Sequence, residues 1–230
     1  AMSPSDVLNR SFALYQGHWQ HLIGIGLTIW VGVAIVAAVL SLLGIVGGLL
    51  GAIALIIGAY LLQGAIVSAV DDLQDGRIDM SIGETVRAAQ PHLLALIVAG
   101  IIVGVLVTIG LFLFLIPGLI LMTLWFVTAP SIVIEKLGAI DGMQRSWNLV
   151  KGQFWQTLLL ALLTFFLVIV AVVLASIILS FLPNFLASLI ANIVVNSVVG
   201  PFWAVVSALA FFTLRDRRST PQAPAPESNF

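Results

Sequence analysis

SIVIEKLGAIDGMQRSWNLVKGQFWQTL, residues 131–158, combines charged and amphipathic residues in an otherwise apolar chain. From Ile140 onward its apolar residues recur at spacings of three and four, which places them on one face of a helix. These residues are Ile140, Met143, Trp147, Val150 and Phe154. Asp141, Arg145 and Asn148 fall on the opposite face. The pattern predicts an amphipathic helix over residues 138–153 that lies along a membrane surface.

The same pattern recurs at the N-terminus. A shift of 135 positions (141 − 6) superposes identical residues, and the apolar spacing agrees in the same register. The matched residues are Asp6, Arg10, Ser11, Leu14 and Gly17 with Asp141, Arg145, Ser146, Leu149 and Gly152. Surface helices are therefore predicted at 4–19 and 138–153, and a third, divergent one at 81–92. We expect three repeat units, each a surface helix followed by a membrane-spanning hairpin.

Composition excludes a soluble globule. Hydrophobic residues make up 61% of the 230, charged residues only 8%, and the mean hydropathy is +1.18. A chain of this size has too few polar side chains to cover a water-facing surface. It has no cysteine, which rules out disulfides and thiolate metal sites.

Six apolar segments are long enough to cross a bilayer or nearly so. They run at about 22–43, 49–70, 93–115, 119–134, 155–181 and 185–214. The predicted fold is an all-α integral membrane protein with one membrane domain, residues 1–214. Residues 215–230 are predicted to form a basic segment followed by a disordered cytoplasmic tail.

Pro117-Gly118 is predicted to form the turn between the third and fourth segments. Pro130 interrupts the fourth, and the carbonyl that it frees must find a partner on a neighbouring helix or side chain.

The positions of the charges predict orientation. All nine Lys and Arg and all ten Asp and Glu lie in the N-terminal segment, in the two longer loops or in the tail. The short turns on the other side carry none. Because cytoplasmic loops are enriched in Lys and Arg, both termini are predicted to be cytoplasmic.

One group of charged residues could form a site. Its members are Arg10, Arg87, Glu135, Asp141 and Arg145. They could form ion pairs that hold the surface helices under the bundle, including i,i+4 pairs such as Asp141 with Arg145. They could instead bind an anionic lipid headgroup, because guanidinium groups suit phosphate geometry. Under the first reading Glu135 is expected to pair with Arg145 or Arg10.

A second group consists of uncharged polar residues inside the predicted spans, namely Gln63, Ser188, Asn192 and Asn196. Such side chains can line a polar cavity or bond helix to helix. The spans contain no ionisable side chain in their interiors, which argues against a proton- or ion-coupled transporter.

No sequence pattern indicates an enzyme. The chain has neither HExxH nor GxSxG. Its three histidines are not accompanied by other potential metal ligands at a metal-binding spacing. We therefore expect a non-enzyme with no cofactor and no metal.

Several short segments resemble a known family. LIPGLIL (115–121), Trp125, Ala129-Pro130, Glu135 and RSWNLVKG (145–152) are similar to the bacterial glycerophosphoryl diester phosphodiesterase membrane-domain family and related multi-pass proteins. The resemblance implies a six-helix bundle in a bacterial cytoplasmic membrane. It implies no activity, because the separate catalytic barrel of that family has no counterpart here.

Three functions remain open at this point. The leading expectation is a non-catalytic module that binds membrane lipids or a protein partner at a charged cytoplasmic face. The alternative is a small-solute channel or transporter that uses Gln63, Asn192 and Asn196. A lipid-headgroup enzyme has the least support. No nucleic-acid partner is expected, and the oligomeric state is left open.

Overall fold

The computed structural model of the protein describes residues 3–179, 181 and 185–219, and all regular elements in that part are helices. In chain order the α-helices are α1 (Pro4–Gly17), α2 (Trp19–Ser41), α3 (Gly44–Asp72), α4 (Ile82–Ala89), α5 (Leu93–Leu113), α6 (Leu115–Leu124), α7 (Thr128–Glu135), α8 (Ala139–Lys151), α9 (Phe154–Leu179) and α10 (Phe185–Ser219). With α4–α5 and α6–α7 each counted as one segment, the described residues contain six segments long and apolar enough to cross a membrane.

Glycines allow α2 and α3 to pack closely as neighbours. Gly44 starts α3 with a φ of +62°, a left-handed conformation that glycine adopts at little cost. A Cβ atom at Gly47 would overlap the carbonyl of Leu40, and one at Gly51 would touch Ala37. The spacing Gly47-xxx-Gly51 therefore serves packing within one chain here.

The prediction that Pro117-Gly118 reverses the chain between α5 and α6 is wrong. The reversal occurs at Phe114, whose backbone is extended, with φ −157° and ψ 138°. Pro117 and Gly118 lie within the first turn of α6, where the missing N–H of proline would have no helical partner anyway. Gly118 also lets α6 approach Gly110 of α5, since a Cβ at Gly110 would lie 3.0 Å from the Cα of Gly118.

The fourth apolar segment is a broken helix. α6 ends at Leu124, α7 begins at Thr128, and residues 125–127 between them are not helical. Pro130 lies in the first turn of α7 and has no N–H to bond the carbonyl of Phe126, four residues earlier. Ser207 of α10 donates its hydroxyl to that carbonyl at 2.8 Å. The prediction of a partner on a neighbouring helix is confirmed.

A second serine bonds the other end of the break. Ser146 of α8 donates its hydroxyl to the carbonyl of Leu124, the last residue of α6, at 2.8 Å. Ser146 and Ser207 are both fully buried. Because a buried carbonyl without a partner is costly, these two hydroxyls stabilise the non-helical backbone inside the bundle.

Replacement of Ser207 by alanine tests this role. Ser207→Ala is expected to lower the free energy of unfolding by about 1–3 kcal/mol, because the Phe126 carbonyl stays buried and loses its partner. Ser176→Ala is the matched control, since the exposed Ser176 donates only to Val172 of its own helix. Denaturant titration in mixed micelles measures both. Equal destabilisation by the two variants would contradict the role of Ser207.

The buried core lies at one end of the bundle. Buried side chains concentrate in 62–70 of α3, 124–133 of α6 and α7, and 204–214 of α10, together with the inward faces of α1 and α8. Each of the first three stretches runs directly toward charged residues, namely Asp71, Glu135 and Arg215. The opposite halves of α2, α3, α5 and α9 expose large apolar side chains. The protein is therefore closely packed where it is charged and presents apolar surface elsewhere.

The predicted apolar face of α8 is only partly buried in the protein. Met143 and Val150 are buried, whereas Ile140 and Trp147 are exposed. Gly142 and Ser146 are buried in their place. A Cβ at Gly142 would overlap the side chain of Ile132, so these small residues allow α8 to approach α7 closely. Apolar spacing alone does not identify this contact, because small residues permit a shorter interhelical distance than large ones.

Candidate functional site

Glu135 and Arg145 form a two-pronged ion pair between α7 and α8. The Arg145 Nε atom lies 2.7 Å from Oε2 of Glu135, and Nη2 lies 2.7 Å from Oε1. Lys136 allows the pairing because its left-handed backbone, at φ 54°, ends α7 and turns the chain toward α8. The hydrogen bonds to Glu135 raise the pKa of Arg145 above its ordinary value. The expectation that Glu135 pairs with Arg145 is confirmed.

The other charged candidates do not join this pair. The expected i,i+4 pair of Asp141 with Arg145 is wrong, because both prongs of the guanidinium are used by Glu135 and Asp141 is exposed. Arg10 and Arg87 are exposed and form no salt bridge within the described residues. Their helices also pack on different neighbours: α1 on α9 and α10, α4 on α2 and α3, and α8 mainly on α7 and α5. These guanidinium groups therefore do not form a single closed ion-pair network.

The uncharged polar candidates are divided between two cavities. Asn192 and Asn196 line a cavity of about 540 Å³ among α2, α3 and α10, whereas Gln63 lines a different one. The Asn196 side chain donates to the carbonyl of Asn192 in its own helix at 2.8 Å. The side chain of Ser188 lies outside the described residues, as do residues 220–230 of the predicted tail.

A groove runs along the outer face of α8. It has a volume of about 370 Å³ and is lined by Trp125, Ile140, Met143, Gln144, Trp147 and Asn148. The rings of Trp125 and Trp147 lie 6.4 Å apart. Its apolar and indole surfaces can contact hydrocarbon, while the amides of Gln144 and Asn148 can bond to ester or headgroup oxygens. The sequence placed Ile140 and Trp147 on one apolar face of α8 but did not indicate a groove there.

A second cavity lies at the break of the fourth segment. It has a volume of about 230 Å³ and is lined by residues of α3, α5, α6, α7 and α10. Its hydrogen-bonding side chains include Tyr60, Gln63 and Thr128, and the rings of Trp125 and Trp203 border it. Of these, only Gln63 was a candidate from the sequence. Pro130 was the available signal for the break, but it did not indicate which side chains the break would bring together.

The end of α10 packs against α8. The Arg218 guanidinium donates to the carbonyl of Asn148, and Arg215 lies over the rings of Phe211 and Phe212, at 5.4 and 4.9 Å from their centroids. The Arg218 contact brings the end of α10 beside Asn148, which lines the α8 groove. The chain end and the groove thus share the charged end of the bundle.

α1 is attached to α10 through Tyr15. The Tyr15 hydroxyl donates to the carbonyl of Val198 at 2.5 Å, and burial raises the pKa of Tyr15 to about 12. The hydroxyl therefore stays protonated at physiological pH and keeps its donor proton. Phe12 packs on Phe202 at 4.9 Å between ring centroids, next to this bond.

No group of three or more acidic or histidine side chains that could hold a metal ion occurs in the part of the chain that the structure describes. Comparison with protein-family models, curated proteins and solved structures finds no match to this chain.

Proposed function

We propose that this chain is a non-catalytic, multi-pass membrane protein that binds membrane lipid at its charged end, with the α8 groove as the binding surface. The observation that carries the proposal is the groove itself, where exposed apolar and indole side chains lie next to the amides of Gln144 and Asn148. Trp147 is 42% exposed although it is among the largest apolar side chains in the chain. Tryptophan is favoured at the boundary between hydrocarbon and headgroups, where its ring and its N–H both find partners.

The ion pair has a positioning role in this proposal. Both prongs of Arg145 are occupied by Glu135, so the guanidinium holds α8 against α7 instead of carrying the headgroup by itself. Gln144 precedes Arg145 in the chain and lines the groove, so the ion pair fixes the orientation of the groove wall. Exposed Arg10 and Arg87 add positive charge that attracts anionic headgroups.

The proposed topology has both termini in the cytoplasm of a bacterial cell, with the six segments arranged as three hairpins. It is supported by the contacts of Arg218 with α8 and of Arg215 with the α10 rings, both at the charged end. Charged side chains are excluded from hydrocarbon, so their collection at one end favours one aqueous side. The α8 groove would then face the inner leaflet.

The proposed repeat is supported by matching burial in α1 and α8. Most residues related by the 135-position shift have the same environment, although Arg10, Leu14 and Tyr15 are more exposed than Arg145, Leu149 and Val150. The matching pairs include Val7 and Gly142, Leu8 and Met143, Ser11 and Ser146 (buried), and Asp6 and Asp141, Phe12 and Trp147 (exposed). Under this proposal α1 and α8 descend from one duplicated surface helix, and α4 is the divergent copy.

If lipid binds in the α8 groove, lipid retention is expected to depend on Trp147 and not on the nearby Trp155. Trp147→Ala is expected to reduce the lipid that co-purifies with the protein by about tenfold, which corresponds to about 1.4 kcal/mol of lost contact. Trp155→Ala is the matched control, because Trp155 is 75% exposed, touches Phe154 and does not line the groove. Native mass spectrometry of the detergent-purified variants counts the retained lipid. Equal retention by both variants would contradict the groove.

The cavity beside Asn192 and Asn196 favours a second candidate, a small-solute channel or transporter. Two observations weigh against it. The Asn196 amide bonds within its own helix, and Gln63, the third residue of the expected polar face, lines a separate cavity. A protein partner at the charged end is also compatible with the exposed faces of α1, α4 and α8, and would compete with lipid for the same surface.

A further inference from the structure

A cavity lined by uncharged, hydrogen-bonding side chains lies at the break between α6 and α7. Thr128 lies seven residues before Glu135, and Gln63 lies nine residues before Asp72. At a rise of 1.5 Å per residue, both are about 10–14 Å from the charged ends of their helices. Non-helical backbone at such a depth is tolerated where it is buried in protein or lines a cavity. Discontinuous helices of membrane proteins often carry binding sites at such breaks.

Thr128 is the residue that distinguishes this cavity from ordinary packing. Most buried or partly buried threonines here donate to the carbonyl four residues earlier, as Thr123 does to Leu119 and Thr164 does to Leu160. For Thr128 that carbonyl belongs to Leu124, which instead accepts from Ser146. Thr128 is only 6% exposed, and its hydroxyl has no hydrogen-bond partner. The break therefore leaves a buried hydroxyl beside the cavity with unused capacity to donate and accept.

Two further polar side chains share the cavity. Tyr60 and Gln63 of α3 line the same space as Thr128, and neither forms a side-chain hydrogen bond with any residue that the structure describes. Gly100 of α5 makes room for Tyr60, since a Cβ at that position would overlap the tyrosine hydroxyl. Three hydrogen-bonding groups thus surround one cavity without partners from the protein. Polar groups inside a low-dielectric bundle need such partners, so they point to a polar occupant.

The lining defines the chemistry of that occupant. It contains no Asp, Glu, Lys, Arg or His, so it offers no counter-charge to an ionic group. Hydroxyl and amide groups both donate and accept hydrogen bonds, and an alcohol does the same with a single atom. The volume of about 230 Å³ is below the range of about 300–1,000 Å³ typical of sites for drug-sized ligands. The indoles of Trp125 and Trp203 can pack on the C–H groups of a small polyol.

We infer that this cavity is a binding site for one uncharged, hydroxyl-bearing group of about the size of glycerol, held by Tyr60, Gln63 and Thr128. The group is either a free small polyol or the glycerol end of a lipid that enters between helices. The site is separate from the α8 groove, and only Trp125 borders both. Trp125 is therefore left unchanged in the test.

The test uses the full chain in phosphatidylcholine nanodiscs and glycerol as the probe. Saturation-transfer NMR reports glycerol bound to the protein. The triple variant Tyr60→Phe, Gln63→Met and Thr128→Val keeps the shape of the lining but removes its hydrogen-bonding groups. It is expected to weaken glycerol binding at least about tenfold, since three hydrogen bonds are lost together.

A second pair of variants tests whether glycerol binding requires the free volume of the cavity, instead of its polar side chains. Gly104→Val fills the cavity while leaving the three polar residues in place, and it is tolerated because a Cβ at Gly104 meets no atom within 4 Å. It is expected to abolish binding. Gly48→Val is the matched control, since Gly48 is equally open and lies outside this cavity. It is expected to bind as the unchanged protein does.

Native mass spectrometry after reconstitution with phosphatidylglycerol distinguishes the two sources of the hydroxyl group. Glycerol binding that is seen with the unchanged protein and is weakened or lost in the triple variant and in Gly104→Val indicates a free polyol. Phosphatidylglycerol retained by the unchanged protein and lost from both variants, with no glycerol signal, indicates the lipid. The inference is overturned if neither signal is observed, or if the signals are the same in both variants as in the unchanged protein. The cavity would then hold water alone.

Discussion

Phe211→Ala is expected to lower the free energy of unfolding by about 3 kcal/mol, the largest effect of any single substitution considered for this protein. Phe211 lies in α10, is 0% exposed, and packs edge-on against Phe212 beside the Arg215 guanidinium. Its removal leaves a cavity that the tightly packed charged end cannot refill. Denaturant titration of the purified protein in mixed micelles, followed by circular dichroism, measures the loss.

Phe112→Ala is the control at the opposite end of the bundle. Phe112 is 91% exposed, so its truncation creates no cavity and is expected to change the free energy of unfolding by less than about 0.5 kcal/mol. The difference between the two variants tests where the core lies. If Phe112→Ala were as destabilising as Phe211→Ala, the stability of the fold would not reside at the charged end.

The second large effect is expected from the ion pair of Glu135 with Arg145. A double-mutant cycle with Glu135→Gln and Arg145→Gln is expected to give a coupling energy of about 1–2 kcal/mol. A fully buried pair would couple more strongly, but the side chains of Arg145 and Glu135 are 35% and 22% exposed, and solvent weakens the interaction. Unfolding free energies of the two single variants and of the double variant supply the coupling.

The chain contains its own control for this cycle. Asp6 and Arg10 occupy the positions equivalent to Asp141 and Arg145 in the first copy of the repeat pattern, are exposed and form no salt bridge within the described residues. Their cycle is expected to give a coupling of at most about 0.5 kcal/mol. Similar coupling in the two cycles would mean that the two-pronged geometry adds nothing to an ordinary surface pair.

Several features were predictable because they depend on local sequence. Six helices long and apolar enough to span a membrane follow from runs of about 20 uncharged residues. The need of the carbonyl freed by Pro130 for a partner follows from the chemistry of proline. The pairing of Glu135 with Arg145 was one of two stated possibilities, and the choice between Arg145 and Arg10 depended on packing.

Other features were mispredicted where two helices meet. Spacing placed Trp147 on the apolar face of α8 but did not indicate that Gly142 and Ser146 are buried, where the absence of a side chain at Gly142 lets α7 approach. Spacing also paired Asp141 with Arg145, although Glu135 supplies both acceptor oxygens. Neither outcome can be derived from periodicity, which specifies the faces of a helix but not the neighbour that each face will contact.

By itself the sequence determined a helical membrane chain whose charged residues lie outside the apolar segments, because segment length and charge position are properties of single segments. Only the tertiary structure decided which polar groups find partners. Ser146 reaches a carbonyl 22 residues earlier and Ser207 one 81 residues earlier, and these bonds leave the Thr128 hydroxyl unpaired beside Gln63. The physical reason is that a hydrogen bond between helices forms only when the donor–acceptor distance is right to within a few tenths of an ångström. That distance is set by the packing of all neighbouring side chains.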